Sequence, residues 1–139
     1  LGLIISRAEL ARLHAHARAG YPHEVVGVLA GHRGDNRVTH VAPLVNERAD
    51  SPQNRYHVGP LALLRAEQAL EAQGLEIVGY YHSHPDHTAV WSDFDREHAL
   101  PNMAYLITSV RAGDIADTRV WLLRDDRSFM DETPLLPED

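Results

Sequence analysis

The sequence predicts an α/β (α+β) fold: a mixed β-sheet flanked by helices in a single domain. Three observations carry this reading. The chain has 139 residues, about one domain on the usual length prior. Short apolar runs rich in Val, Ile and Leu alternate with segments of helical periodicity that carry capping signals. The resulting order, βαββαβαββ, combines hairpins with helical crossovers, which places helices on a mixed sheet.

Each element follows from local chemistry. Leu3 to Ile5 is a short strand. Ser6 and Glu9 form an S-x-x-E capping box that opens a helix over Arg7 to Ala19. Leu10, Leu13 and Ala17 supply its apolar stripe, and Gly20 is its C-cap. Val25 to Ala30 is a buried strand, joined through a turn at Gly31 to Asn36 to a hairpin partner, Arg37 to Val45. Asn46 to Arg55 is a polar loop. A second helix spans Pro60 to Gln73, with Pro in its first turn and Gly74 past its end. Leu75 to Ser83 is a strand that ends at Pro85. Ser92 opens a short helix to Ala99, and Met103 to Ser109 and Thr118 to Leu123 are strands. Residues 1–130 form the domain, and 131–139 read as an acidic C-terminal tail with two Pro.

Composition removes several function classes. The net charge of −7 argues against nucleic acid, whose phosphates need a basic face. No apolar run approaches the roughly 18 residues of a membrane span, and Leu1 to Ile5 is too short for a signal peptide, so a cytoplasmic protein is expected. All 13 basic residues are Arg, as a GC-rich prokaryotic genome would produce, which excludes lysine-based chemistry. With no Cys there is no thiolate ligand or Cys nucleophile, so any metal must sit on His and carboxylates.

The informative segment is His82-Ser83-His84-Pro85-Asp86-His87, followed by Ser92-Asp93-Phe94-Asp95. Residues i and i+2 of a strand share a face, so His82 and His84 present two imidazoles side by side. Two neutral imidazoles and a carboxylate make a zinc site with a fourth position open. H-x-H alone equally describes solvated or structural histidines. Ser92 and Asp95 alone equally describe a helix cap, with Ser92 at the N-cap and Asp95 at N3. Capping and metal binding are compatible, since a rigid first turn aims Asp95 back at the strand end. Glu24, before the strand Val25 to Ala30, is either a solvated charge or a general base.

Together these residues resemble the JAMM, or MPN-plus, metalloprotease family. Glu24 sits in P-H-E-V-V-G-V-L, matching P-x-E-x-x-G-x-L; His82-Ser83-His84-Pro85 matches H-x-H-P; Asp95 follows His84 with ten residues between. The resemblance implies a JAMM/MPN-like curved sheet and one Zn2+ per chain on His82, His84 and Asp95. It further implies that Glu24 takes the proton of the attacking water and passes it to the leaving amine. Ser92 would donate a hydrogen bond to the oxyanion. The implied activity is that of a zinc-dependent peptidase or isopeptidase acting after the C-terminal Gly-Gly of a ubiquitin-like sulfur-carrier protein. Arg55, Tyr56 and Trp91 are the candidate substrate-binding residues. A homodimer is compatible with the sequence.

Two alternatives stand beside this reading. One is a non-catalytic MPN scaffold, which the complete ligand set opposes. The other is a metallo-β-lactamase-like hydrolase, because His82 to His87 also spells H-x-H-x-D-H. That reading would make Asp86 a ligand, and it leaves Glu24 and Asp95 without a role. His87 is expected to line the cleft, and His98 either orients Asp95 or belongs to a solvated helix face.

Overall fold

A computed structural model describes residues 2–47 and 58–139. The elements run β1 (Leu3–Ser6), α1 (Arg7–Gly20), β2 (Val26–His32), β3 (Arg37–Leu44), α2 (Pro60–Glu71), β4 (Glu76–Pro85), α3 (Asp93–His98), β5 (Ala104–Arg111), β6 (Asp114–Leu123), β7 (Met130–Thr133) and β8 (Leu135–Glu138). All eight strands join one mixed sheet in the order β7-β6-β5-β4-β2-β3-β1-β8. The β4–β5, β1–β3 and β1–β8 pairs are parallel and the other pairs antiparallel. Only Pro134 separates β7 from β8, which lie at opposite ends of that order. The Leu3 N–H donates to the Pro134 carbonyl at 2.9 Å. The sheet therefore curls until its two edges approach one another.

One face of the sheet covers α1, where Leu13 and Ala17 are fully buried against Ile5, Leu29, Tyr81 and Leu106. The other face packs Val28, Ala30 and Ile77 against Leu70 of α2. A neighbouring cluster joins Ala89 and Ala99, on either side of α3, to Tyr105, Ile107 and Trp121. Gly27 is dictated by packing: a Cβ there would stand 2.2 Å from the Tyr81 ring. That ring is held edge-on by His16, whose Nδ1 lies 2.7 Å from the Tyr81 hydroxyl.

The differences from expectation have physical reasons. The Glu9 N–H donates to Ser6 Oγ as a cap, but the Glu9 carboxylate does not close the box; it accepts from the Val41 N–H and Arg12 instead. A strand N–H that would otherwise lack a partner outbids the helix's own terminus. β6 starts at Asp114, not Thr118, because Ala112 and Gly113 both have positive φ and form a two-residue hairpin turn. The segment expected as an acidic tail supplies β7 and β8, both edge strands. Pro137 within β8 is tolerated because an edge strand leaves one side of its ladder unpaired, and Pro134 falls between the two strands.

Candidate metal centre

β4 carries both histidines to one end of the sheet. His82 is fully buried, while His84 is slightly exposed at its rim. Their rings lie 5.0 Å apart, with the two Nε2 atoms separated by 3.2 Å. α3 brings the carboxylate. Ser92 is its N-cap and forms the reciprocal capping box with Asp95: the Asp95 N–H donates to Ser92 Oγ at 3.1 Å and the Ser92 N–H to Asp95 Oδ2 at 2.9 Å. The capped turn aims Asp95 at β4, so that Oδ1 lies 3.1 Å from His82 Nε2 and Oδ2 lies 3.1 Å from His84 Nε2. Capping and convergence on the histidines use the same residue.

The hydrogen bond on the far side of His84 sets the tautomer of its neutral ring. His84 Nδ1 lies 2.8 Å from the Thr88 carbonyl, which can only accept, so Nδ1 carries the proton and Nε2 of the neutral ring presents a lone pair. Burial holds the His82 pKa below the usual histidine value, against the pull of Asp95. Burial also opposes charging of His84, but the hydrogen bond and charge of Asp95, the Thr88 carbonyl and the charge of Glu24 outweigh it and raise its pKa. Burial alone would raise Asp95, yet the charges and hydrogen bonds of His82 and then His84 hold its carboxyl far below the usual range. An ionised carboxylate and two imidazole nitrogens thus converge.

This donor set fits zinc. Ligands about 2.0–2.1 Å from a tetrahedral ion stand roughly 3.3 Å from one another, close to the separations already present. Among the described residues, His82, His84 and Asp95 are the group of ligand atoms that converges this way.

Glu24 lies at the mouth of β2, nine-tenths buried or more, and its charge reaches His84. The pairing of Val26 with His82 brings the start of β2 beside the end of β4. The Asn46 side chain donates to the Glu24 carbonyl at 3.1 Å and fixes the turn from the other side.

The remaining expectations divide clearly. Asp86 is not in the triangle; its carboxylate accepts from the Ala112 N–H and the Tyr21 hydroxyl, which removes the basis of the H-x-H-x-D-H reading. His98 donates to the Phe94 carbonyl and stacks on the Phe94 ring, so it does not orient Asp95. His87 is exposed on the loop after β4. Trp91 precedes Ser92 and packs edge-on against Phe129 at 5.0 Å. Arg55 and Tyr56 lie outside the described residues. Sequence reasoning missed Ser83, Asn46 and Thr88: the Ser83 and Asn46 side chains bond to distant backbone groups, and Thr88 acts through its own carbonyl, none of which a motif announces.

Residues 6–124 match the family described as prokaryotic homologs of the JAB domain. The chain belongs to the prokaryotic JAB family. This JAB-family chain is 41% identical over 100 residues to the desampylase of Haloferax volcanii, spanning 68% of this chain and 71% of that protein. It is 40% identical over 107 residues to a probable TtuB-protein conjugate cleaving protease of Thermus thermophilus, spanning 77% and 70%. It is 32% identical over 111 residues to the CysO-cysteine peptidase of Mycobacterium tuberculosis, spanning 78% and 75%. Among solved structures, a Desulfitobacterium hafniense protein superposes with a TM-score of 0.84 at 27% identity, over 99% of this chain and 93% of that one. A JAB1/MPN domain protein from Archaeoglobus fulgidus shares the fold, with a TM-score of 0.62 at 17% identity over 99% of this chain and 100% of that one.

Proposed function

We propose that this JAB-family protein is a zinc-dependent peptidase or isopeptidase that hydrolyses the amide bond after the C-terminal Gly-Gly of a ubiquitin-like sulfur-carrier protein. The observation that carries the chemistry is the convergence of His82, His84 and Asp95 with the buried Glu24 beside them. The substrate class is supported by relatives whose names describe cleavage of TtuB–protein conjugates and of CysO-cysteine.

The roles follow from the groups present. His82, His84 and Asp95 would hold the ion. When bound, zinc supplies a Lewis acid that polarises a carbonyl and acidifies water. Glu24, a carboxylate held in a nearly closed position, is placed to accept a proton from the attacking water and return it to the leaving amine. Ser92 Oγ accepts the Asp95 N–H, which leaves its own O–H proton available for an oxyanion. The helix cap thereby pre-orients a donor. A Gly-Gly tail suits such a site, because glycine brings no side chain past the ligands. Trp91 would wall the approach, and Arg55 and Tyr56 would grip the tail.

The test is mass spectrometry of a carrier protein bearing a C-terminal extension, incubated with the zinc-loaded protein. Release of the extension after Gly-Gly, lost in His84→Ala and on chelation, is the expected result. Turnover of unrelated peptides with no carrier cleaved would discard the substrate and keep the peptidase chemistry. No hydrolysis of either would return the protein to the scaffold reading.

A further inference from the structure

Asp86 follows the H-x-H-P motif and has no place in the triangle of ligand atoms, yet it is bound more completely than the exposed residues around it. Its φ of 56° lies in the left-handed region, which Asp tolerates better than most residues. Its N–H donates to the Val110 carbonyl at 2.7 Å, Oδ1 accepts the Ala112 N–H at 2.9 Å, and Oδ2 accepts the Tyr21 hydroxyl at 2.7 Å. One side chain thus joins the β5–β6 hairpin to the segment Tyr21-Pro22-His23-Glu24, at the point where the chain leaves β4.

The loop beyond it is held by its carbonyls. The Ser109 hydroxyl donates to the His87 carbonyl, His84 Nδ1–H to the Thr88 carbonyl at 2.8 Å, and the Trp121 indole N–H to the Ala89 carbonyl at 2.9 Å. The Thr88 carbonyl is the one that selects the His84 tautomer. The clamp on Asp86 fixes the chain where it departs from Pro85, two residues before Thr88, while Ser109 and Trp121 hold the His87 and Ala89 carbonyls on either side of it.

We infer that Asp86 is a positioning residue: through its clamp on Tyr21 and Ala112 it holds the Thr88 carbonyl against His84 Nδ1 and so keeps His84 Nε2 available as a ligand. The inference rests on the zinc-hydrolase reading for its function but not for its geometry. Groups that hydrogen-bond a metal-ligating histidine orient the ring, and their loss commonly costs about 10–100-fold in metal affinity or activity.

The test uses Asp86→Gly, which removes the carboxylate and keeps a residue suited to positive φ, with Tyr21→Phe removing one arm of the clamp and Asp86→Asn as the conservative restoration. Zinc affinity is read by chelator competition. The His84 tautomer is read from ring nitrogen NMR of the metal-free protein at alkaline pH. Asp86→Gly is expected to weaken zinc binding by about tenfold and to lose the preference for the Nδ1–H form. Tyr21→Phe is expected to shift both in the same direction by less, and Asp86→Asn to recover most of the loss. Ser6→Ala, which removes the α1 cap, controls for lowered stability and should move neither readout. Wild-type zinc affinity and an unchanged His84 tautomer in Asp86→Gly would overturn the inference; if that variant fails to fold, the same result in Tyr21→Phe overturns it. A wild-type protein that binds no zinc would sink the zinc reading instead, and the NMR readout would still decide whether Asp86 sets the ring.

Discussion

Val25 and Ser83 exchange two hydrogen bonds. The Val25 N–H donates to Ser83 Oγ at 2.9 Å, and the Ser83 N–H donates to the Val25 carbonyl at 3.1 Å. Ser83 is fully buried and stands between the two histidines; Val25 follows Glu24. The pair ties the backbone of the candidate general base to the backbone of two candidate metal ligands. Relative motion of β2 and β4 at this end would break both bonds at once.

Metal content is the first consequence. Purified wild-type protein should hold one zinc per chain by elemental analysis. His82→Ala, His84→Ala and Asp95→Ala should each lose it, because two ligands and solvent hold zinc far more weakly than three. Full occupancy in Asp95→Ala would remove that carboxylate from the ligand set.

Glu24→Gln should retain zinc and lose activity by about 10²-fold or more, since an amide cannot accept the proton of water. Steady-state cleavage of the extended carrier, alongside zinc content, separates the two effects. A fully active Gln variant would falsify the general-base role.

The cap that Ser92 forms and the oxyanion role proposed for it can be parted by substitution. Ser92→Ala should cost about 1 kcal/mol of stability through the lost cap. It should also lower kcat by about 10²-fold through the lost oxyanion donor. Ser92→Gly retains most of the capping preference, so it should recover stability and stay slow. Activity that recovers together with stability in the Gly variant would leave the cap as the whole contribution.

Gly27→Ala places a methyl group 2.2 Å from the Tyr81 ring, whose hydroxyl is held by His16 of α1. Overpacking of this kind costs about 1–3 kcal/mol. Chemical denaturation should show the loss, and a variant as stable as wild type would mean that β2 and β4 can part without cost.

Stability should also depend on pH through α1. Burial holds the His14 and His16 pKa values below the ordinary histidine value of 6.5, with Arg18 adding to the shift at His14. The unfolded chain then binds more protons than the folded one just below that value, so stability is complete above about pH 6.5 and falls as the pH drops through the folded pKa values. His16→Asn should flatten the urea-midpoint curve in this window. A curve of unchanged slope would place the pH dependence on other groups.

Local pattern determined much of this protein. The alternation of β4 put His82 and His84 on one face, the S-x-x-D spacing put Asp95 in a capped first turn, and the ten-residue interval linked them through a recognisable family pattern. These are short-range relations, set by strand and helix periods that the residues themselves encode. What only the tertiary structure decided is non-local. The Val26–His82 pairing that sets Glu24 beside the histidines joins residues far apart in sequence. So do the reach of Asp86 to Tyr21 and the anchoring of Ala89 by Trp121. The same holds for the recruitment of 130–138 as the two edge strands β7 and β8. Pairing between distant strands is settled by the summed packing and hydrogen bonds of the closed sheet, and backbone groups such as the Thr88 carbonyl have no letter in the sequence to announce them.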